Sequence, residues 1–170
     1  MSKVARLVDF MRESPHTVVH TGAGISTAAG IPDFRGVGGV WTLHKRGEAL
    51  PASERCWNNA LPTQAHMALS GLVAAGKVNA VITQNIDGLH VRSGISRDCL
   101  AELHGNIFAE KCTACGVVIN RSFDCGGVGF RPTGRFCSCG GAMIDQLLDW
   151  EDDLPERDFD LAEKVSVALS

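Results

Sequence analysis

The chain has 170 residues, of which 45% are hydrophobic and 21% are charged, and a chain of this size buries roughly 70% of its unfolded surface on folding. The formal net charge of −3 gives no overall electrostatic basis for binding nucleic acid. No apolar run approaches the ~18 residues of a membrane-spanning helix and no signal peptide is evident, so we expect an intracellular protein.

The predicted elements alternate between helices and strands. The first part of the pattern predicts a helix over residues 3–13, a buried strand over 17–21, a long loop with short helical pieces over 33–60, a helix over 65–75, and strands over 78–83 and 100–103. The second part comprises a cysteine- and glycine-rich stretch over 109–143, a strand-like stretch over 144–150 and a helix over 155–169. In that last helix we expect the apolar side chains to face inward, namely Phe159, Ala162, Val165 and Leu169.

This alternation is typical of an α/β fold with a doubly wound parallel sheet of the Rossmann-like type. The composition divides the chain into three segments. Residues 1–108 form a Rossmann-like part, residues 109–143 a small inserted module, and residues 144–170 a return to the Rossmann-like part.

A glycine-containing loop follows the first strand. Gly22 allows a tight turn, Gly24 lets the backbone approach an anion, and a helix starting beyond them would offer free N–H groups. The usual dinucleotide fingerprint would have a third glycine where Thr27 stands, and an acidic residue farther along the chain than Asp33. The glycines alone therefore fit an ordinary strand-to-helix turn as well as a nucleotide site.

Polar groups follow three of the predicted strands, at residues 22–26, 84–87 and 104. Ligands of parallel sheets bind at the carboxyl ends of the strands, so we expect these groups to lie close together. Asn85 and Asp87 are suited to hold an amide and ribose hydroxyls, although the same residues also favour turns.

His104 is the candidate general base, because it ends a strand beside a glycine and its side chain titrates near neutral pH. A capping or core role is the alternative for a single histidine. We expect the remaining histidines to be structural, namely His16, His20, His44, His66 and His90.

Seven cysteines in a chain with no evident secretion signal argue against a disulfide framework, and five of them fall between residues 112 and 139. The pairs Cys112-x-x-Cys115 and Cys137-x-Cys139 predict a closed, tetrahedral structural zinc site. A redox pair is less favoured, since that motif belongs at a strand-to-helix turn.

The second cysteine pair is unusually close in sequence, but residues two apart share one face of a strand, so both can be ligands. Cys125 remains a possible substitute ligand. We expect Cys56 and Cys99 to be ordinary buried thiols.

The sequence resembles the sirtuin family from about residue 4 to about residue 162. Residues 22–26 and 30–35 (GAGIS and GIPDFR) resemble its NAD-binding signature, residues 83–90 (TQNIDGLH) its T/SQNxDGLH motif, and residues 101–106 (AELHGN) its catalytic-histidine motif. Residues 39–41, 90–94 and 149–152 (GVW, HVRSG and DWED) are most similar to the sirtuin-six branch of the nuclear class IV sirtuins, whose members act on chromatin.

The resemblance implies an NAD-dependent protein-lysine deacetylase with zinc, a nuclear location, no membrane association and histone tails as substrates. Mono-ADP-ribosyltransferase activity is an additional activity that the resemblance allows. His104 would be the catalytic base that takes a proton from a ribose hydroxyl. Residues 1–108 would bind NAD and residues 33–60 would be the cofactor loop. The implied cofactor-binding residues are Gly22, Ala23, Gly24, Ser26, Thr27, Asp33, Phe34, Arg35, Trp41, Gln84, Asn85, Asp87 and His104, and the implied zinc ligands are Cys112, Cys115, Cys137 and Cys139. For Trp41, plain core packing is an equal alternative.

The sirtuin core continues beyond the position that matches Ser170. The resemblance therefore implies a C-terminally truncated sirtuin whose sheet and adenosine site are incomplete, and which binds NAD weakly. The alternative function is that of a catalytically inactive fragment acting as a zinc-containing binding module.

Overall fold

The computed structural model describes residues 2–48, 57–149 and 151–167, so Cys56, Trp150 and Leu169 lie outside the described residues. Its helices are α1 (Lys3–Glu13), α2 (Val40–Arg46), α3 (Gln64–Ala74), α4 (Leu89–Arg92) and α5 (Glu156–Val167). Its strands are β1 (Val18–Thr21), β2 (Ala80–Thr83), β3 (Leu100–Glu102), β4 (Gly105–Cys112), β5 (Val118–Asn120), β6 (Pro132–Phe136) and β7 (Ala142–Leu147). In the described ranges, no helix has the length and apolar character needed to cross a membrane.

The first sheet is parallel, with strand order β1-β2-β3, which confirms the predicted α/β class. Thr21 lies opposite Thr83, and Thr83 lies opposite Glu102, so the three strands end level. The apolar core of this part consists of Val78, Val81, Ile95 and Leu100, packed against side chains from α1 and α3. The loops that follow the three strands therefore leave the sheet at one edge.

Helix α1 forms where it was predicted, because its signals are local. The Ser2 hydroxyl accepts from the Ala5 N–H at 3.1 Å and so caps the first turn. The helix ends before Pro15. The apolar side chains at Val4 and Leu7 are nevertheless exposed, and Met11 is the residue of α1 that packs against the core of the parallel sheet.

The expected inward face of α5 is wrong at Phe159, which is 47% exposed. Its neighbour Asp158 is buried instead. The Asp158 carboxylate accepts from the Glu102 backbone N–H at 2.8 Å and lies 3.1 Å from the Arg97 guanidinium. A charged residue takes the buried position because it is paired and hydrogen-bonded there.

The glycine loop is not followed by the expected α-helix. Two short 3₁₀ turns, Ala23–Ile25 and Thr27–Ala29, take its place. Gly30 ends the second turn in the left-handed region, with φ at 83°, and Pro32 follows it. Both residues oppose continuation of a helix.

The second sheet is antiparallel, with strand order β5-β4-β7-β6. It starts before and ends after the predicted module at 109–143, because β4 and β7 pair from Gly105 to Leu147. Residues 144–147 thus form part of this antiparallel sheet. The chain returns to the parallel sheet through α5, which packs on β3.

Gly105 connects the two sheets, and we expect Gly105→Ala to destabilise the protein strongly. Its φ is 83°, and an added Cβ would overlap the backbone carbonyl of Gln146 on β7. Gly76 is the matched control, because its φ is 66° but a Cβ there would meet open space. Gly76→Ala should cost about 1–2 kcal/mol for the left-handed conformation alone, and Gly105→Ala should cost clearly more. Urea unfolding of both variants measures the difference, and equal losses would contradict this expectation.

Candidate cofactor site and metal centre

The glycine loop borders an open cavity of about 570 Å³, a volume in the usual range of ligand sites. The cavity is lined by residues 19–25 and by three apolar residues of α3, namely Ala65, Ala68 and Leu69. A Cβ added at Gly22 or Gly24 would meet nothing within 4 Å. Protein packing therefore does not require these two glycines, and their backbone is accessible from the cavity.

The loops after β1 and β2 are joined by a buried polar network. The Ser26 hydroxyl donates to Asp87 Oδ2 at 2.6 Å. Asn85 Nδ2 donates to the Gly22 carbonyl at 3.0 Å and to Ser26 Oγ at 3.2 Å. Three predicted site residues, Ser26, Asn85 and Asp87, thus hold one another and fix the glycine loop.

Other predicted residues of these loops lie at the surface. Gln84, Thr27 and Gly24 are exposed, and Ala23 is half-buried. The Thr27 hydroxyl donates to the Gly24 carbonyl at 3.0 Å, which closes the loop on itself. Asp87 also accepts from the N–H of Leu89, the first residue of α4, at 2.9 Å.

The described start of the predicted cofactor loop carries an exposed aromatic pair. The Phe34 and Trp41 ring centres are 5.2 Å apart, and the Arg35 guanidinium lies 5.4 Å from the centre of the Trp41 ring. Trp41 is 44% exposed, so it is not a core residue. Asp33 accepts from the Gly36 N–H at 2.8 Å, and this bond shapes the turn that presents the pair.

His104 is exposed and lies in the turn between β3 and β4, at the same edge of the parallel sheet as the other two loops. The Leu103 N–H donates to the Thr83 carbonyl at 2.9 Å, which anchors the turn to the end of β2. The His104 carbonyl accepts from the Leu148 N–H at 3.3 Å. The structure therefore presents an exposed imidazole on a held backbone.

Two histidines expected to be structural, His66 and His90, are fully buried, and their tilted rings have centres 4.7 Å apart. His90 Nε2 lies 2.8 Å from the Thr21 hydroxyl, and His66 Nδ1 accepts from the Thr63 N–H at 3.2 Å. Burial lowers the pKa of both imidazole rings. The pKa of His90 falls to about 4, mainly through burial and further through the neighbouring His66, while the Asp87 carboxylate acts in the opposite direction. Both histidines are therefore neutral in the folded protein at pH 7.

We expect this pair to make the fold acid-sensitive. The folded-state pKa of His90, about 4, lies below its ordinary value of 6.5, so the unfolded chain binds the proton more readily. The contribution of the neutral His90 ring to the free energy of unfolding is fully present above pH 6.5 and is lost as the pH falls towards 4. Urea unfolding at several pH values should show this loss, and His90→Gln should flatten it. An unchanged pH dependence in His90→Gln would contradict the assignment.

The four cysteines predicted as zinc ligands come together at the end of β4 and in the turns that follow β4 and β6. Their sulfur atoms all lie within 4.8 Å of one another, with 3.5 Å between Cys112 and Cys139 and 3.8 Å between Cys115 and Cys137. Four sulfurs at tetrahedral zinc, each at about 2.3 Å from the metal, would be about 3.8 Å apart. The set is therefore able to bind zinc.

The surroundings of Cys112 also suit a metal ligand. The N–H groups of Cys115 and Ala114 donate to Cys112 Sγ and lower the pKa of this thiol, which favours the thiolate that a metal requires. Gly141 lies so close that a Cβ there would be 2.6 Å from Cys112 Sγ. A larger residue at position 141 would disturb the cluster.

Two details of the cysteine prediction change. Cys137 and Cys139 lie in the turn after β6 and not within a strand, and this turn is closed by the Gly140 N–H, which donates to the Cys137 carbonyl at 2.9 Å. Cys125 lies outside the cluster, with its thiol directed at the Phe123 carbonyl at 3.9 Å, and burial raises its pKa to about 11. Cys99 is half-buried.

The comparisons with known proteins agree with this geometry. A model of the Sir2 family matches residues 50–168. Over 165 residues the chain is 48% identical to NAD-dependent protein deacetylase SRT1 of Arabidopsis thaliana, a match that covers 95% of this chain and 35% of that protein. Over 169 residues it is 46% identical to NAD-dependent protein deacetylase Sirt6 of Drosophila melanogaster, with coverages of 94% and 53%.

Two solved structures of Sir2 proteins also match this chain. Sir2Tm bound to a propionylated peptide matches with a TM-score of 0.63 at 30% identity, over 97% of this chain and 71% of that chain. A complex of Sir2 with a p53 peptide and NAD+ matches with a TM-score of 0.63 at 28% identity, over 97% and 72%. The chain thus spans about a third to a half of the two curated relatives. Because the family model matches more than half of the sequence and the fold agrees over nearly all of it, the chain belongs to the Sir2 family.

Proposed function

We propose that the protein is an NAD-dependent protein-lysine deacetylase. The observation that carries this proposal is the meeting of three loops at one edge of the parallel sheet: the glycine loop, the loop with Asn85 and Asp87, and the turn with His104. Ligands of such sheets bind at this edge. The relatives named above support the reaction class, since they are named NAD-dependent protein deacetylases.

In this proposal, NAD lies across the glycine loop, with its diphosphate against the open backbone of Gly22 and Gly24. Both glycines line the cavity, and no protein atom lies within 4 Å of the position that a Cβ would take at either of them. Asn85, Asp87 and Gln84 would hold the nicotinamide and its ribose, while Phe34, Arg35 and Trp41 would cover them. The half-exposed Phe34–Trp41 pair supports a covering role, because it offers apolar area that the chain itself leaves accessible.

When bound, NAD supplies a ribose whose C1′ becomes electrophilic as nicotinamide leaves. The acyl-lysine substrate would present its carbonyl oxygen to that carbon. His104 would act as the general base for a ribose hydroxyl, accepting the proton that this group must lose to become a nucleophile towards the acyl carbon. Asn85 and Asp87 would orient the ribose, and the aromatic pair would exclude water, so that acyl transfer is favoured over hydrolysis of NAD.

The four cysteines would hold a structural zinc ion away from the reaction. Their antiparallel sheet follows His104 directly, so we propose that the metal keeps β4 and its turn in place. We also propose acylated histone tails as substrates, chromatin as the site of action and the nucleus as the location. The proposed substrates, site of action and location rest on the likeness of three sequence segments to the sirtuin-six branch, namely residues 39–41, 90–94 and 149–152.

One experiment tests the activity. Zinc-loaded protein is incubated with NAD and an acetylated lysine peptide, and released nicotinamide, free lysine and labelled ADP-ribose are each followed. We expect nicotinamide and free lysine to appear in equal amounts. Transfer of label to protein instead would indicate mono-ADP-ribosylation by the same activated ribose. A folded, zinc-bound chain that neither binds NAD in a calorimetric titration nor releases nicotinamide would favour the zinc-containing binding module.

A further inference from the structure

A buried hydrogen bond joins the two residues that flank the turn carrying His104, and the sequence motif did not reveal it. Glu102 and Asn106 stand two residues before and two residues after His104. Asn106 Nδ2 donates to Glu102 Oε1 at 2.8 Å, and each residue is 2% exposed. The exposed imidazole thus lies on a turn whose two ends are joined inside the protein.

The same asparagine contacts the loop after β2. Gly88 lies against it so closely that a Cβ at this position would be 3.0 Å from Asn106 Oδ1 and 3.0 Å from Phe108 Cδ2. The adjacent Ile107 N–H donates to the Ile86 carbonyl at 3.1 Å. The Asn106 side chain therefore fills the space between the His104 turn and the loop that carries Asn85 and Asp87.

Neither partner of the Glu102–Asn106 bond is free to turn away. Asn106 Oδ1 accepts from the Phe108 N–H at 2.8 Å, which fixes the amide plane. The other oxygen of Glu102 is paired with Arg97, and the Glu102 N–H donates to Asp158 of α5 at 2.8 Å. Arg97 and Asp158 are in turn 3.1 Å apart. The acceptor that holds Asn106 is thus fixed by residues outside the site.

We propose that Asn106, held by Glu102, is a positioning residue that sets the distance between His104 and the loop of Asn85 and Asp87. The proposal rests on the proposed function, in which His104 takes a proton from a ribose that this loop orients. A base must reach its proton within hydrogen-bond distance, and a misplacement of about 1 Å can cost about 10²-fold in rate. Asn106 would act only through His104 and the loop, without touching a reactant.

The test uses two substitutions with different local effects. Asn106→Ala removes both side-chain bonds. Asn106→Ser keeps a hydroxyl that is able to accept from the Phe108 N–H but is too short to reach Glu102. Val78→Ala is the control, because Val78 is a buried core residue at the other end of the sheet, and its truncation lowers stability without touching the site.

We expect both Asn106 variants to lower kcat for nicotinamide release by about 10²-fold with nearly unchanged KM for NAD and peptide, and Val78→Ala to keep kcat. Hydrogen exchange at the amides of residues 103–105 should be faster in both Asn106 variants than in Val78→Ala at equal global stability. Asn106→Ser with kcat within a few-fold of the parent, or with unchanged exchange, would overturn the proposal. Should the parent itself release no nicotinamide, the proposed function fails, and the exchange rates still decide whether Asn106 fixes the turn.

Discussion

His104→Ala is expected to lower the rate of nicotinamide-coupled deacetylation by about 10²–10⁴-fold, the usual effect of removing a general base. The imidazole is exposed in the turn after β3, while the Leu103 N–H donates to the Thr83 carbonyl and the His104 carbonyl accepts from the Leu148 N–H. Truncation should therefore remove the proton acceptor without disturbing the fold. Unchanged thermal melting together with the loss of rate would separate catalysis from stability.

His16→Ala is the matched control for this experiment. His16 precedes β1 and so lies at the end of the parallel sheet opposite to the glycine loop, where its Nε2 is 2.8 Å from the Val165 carbonyl. Its removal should affect the docking of α5 and leave the rate per folded molecule near that of the parent. A His104→Ala variant with activity within a few-fold of the parent would refute the role of the base.

The sequence predicted those parts of the fold whose causes are local. Helix α1 follows from the spacing of its apolar residues, a serine cap and Pro15, all within one short segment. The four cysteines could be identified because two close pairs leave few ways to arrange a tetrahedral site. The glycine loop and the His104 turn could be predicted because an apolar strand segment changes to glycine and polar residues at each of these points.

Features that depend on contacts between distant segments could not be read in the same way. The Ser26–Asp87 bond exists because the β1–β2 register places Thr21 opposite Thr83, and no local pattern encodes that register. Asp158 was missed as a buried residue because helical periodicity counts apolar residues and cannot foresee the Arg97 partner. Asn106 lies in the same motif as His104, but only the imidazole of His104 suggested a chemical role, that of a general base.

Zinc removal is expected to unfold the part of the antiparallel sheet around the cysteines, because the apolar cluster there is small and includes proposed ligands. Its buried apolar cluster consists of Cys112, Cys137 and Met143 with Ile119 beside them, so two of its four members are proposed ligands. Small modules of this kind depend on a metal for stability, and structural zinc contributes about 10–16 kcal/mol in zinc-finger peptides. Chelation should therefore abolish protection from hydrogen exchange in β4–β7, and metal analysis of the untreated protein should find one zinc per chain.

Single substitutions assign the ligands. Cys112→Ser and Cys139→Ser should each lose the metal and the structure of the sheet, because a three-thiolate site leaves the ion exposed and the turns that carry the cysteines unsupported. Cys125→Ser should keep zinc, since its thiol lies outside the cluster. Zinc retained in Cys139→Ser and lost in Cys125→Ser would show that the site exists with a different fourth ligand. A chain that keeps β4–β7 protected from exchange with no zinc bound would contradict the expectation that the metal holds this sheet together.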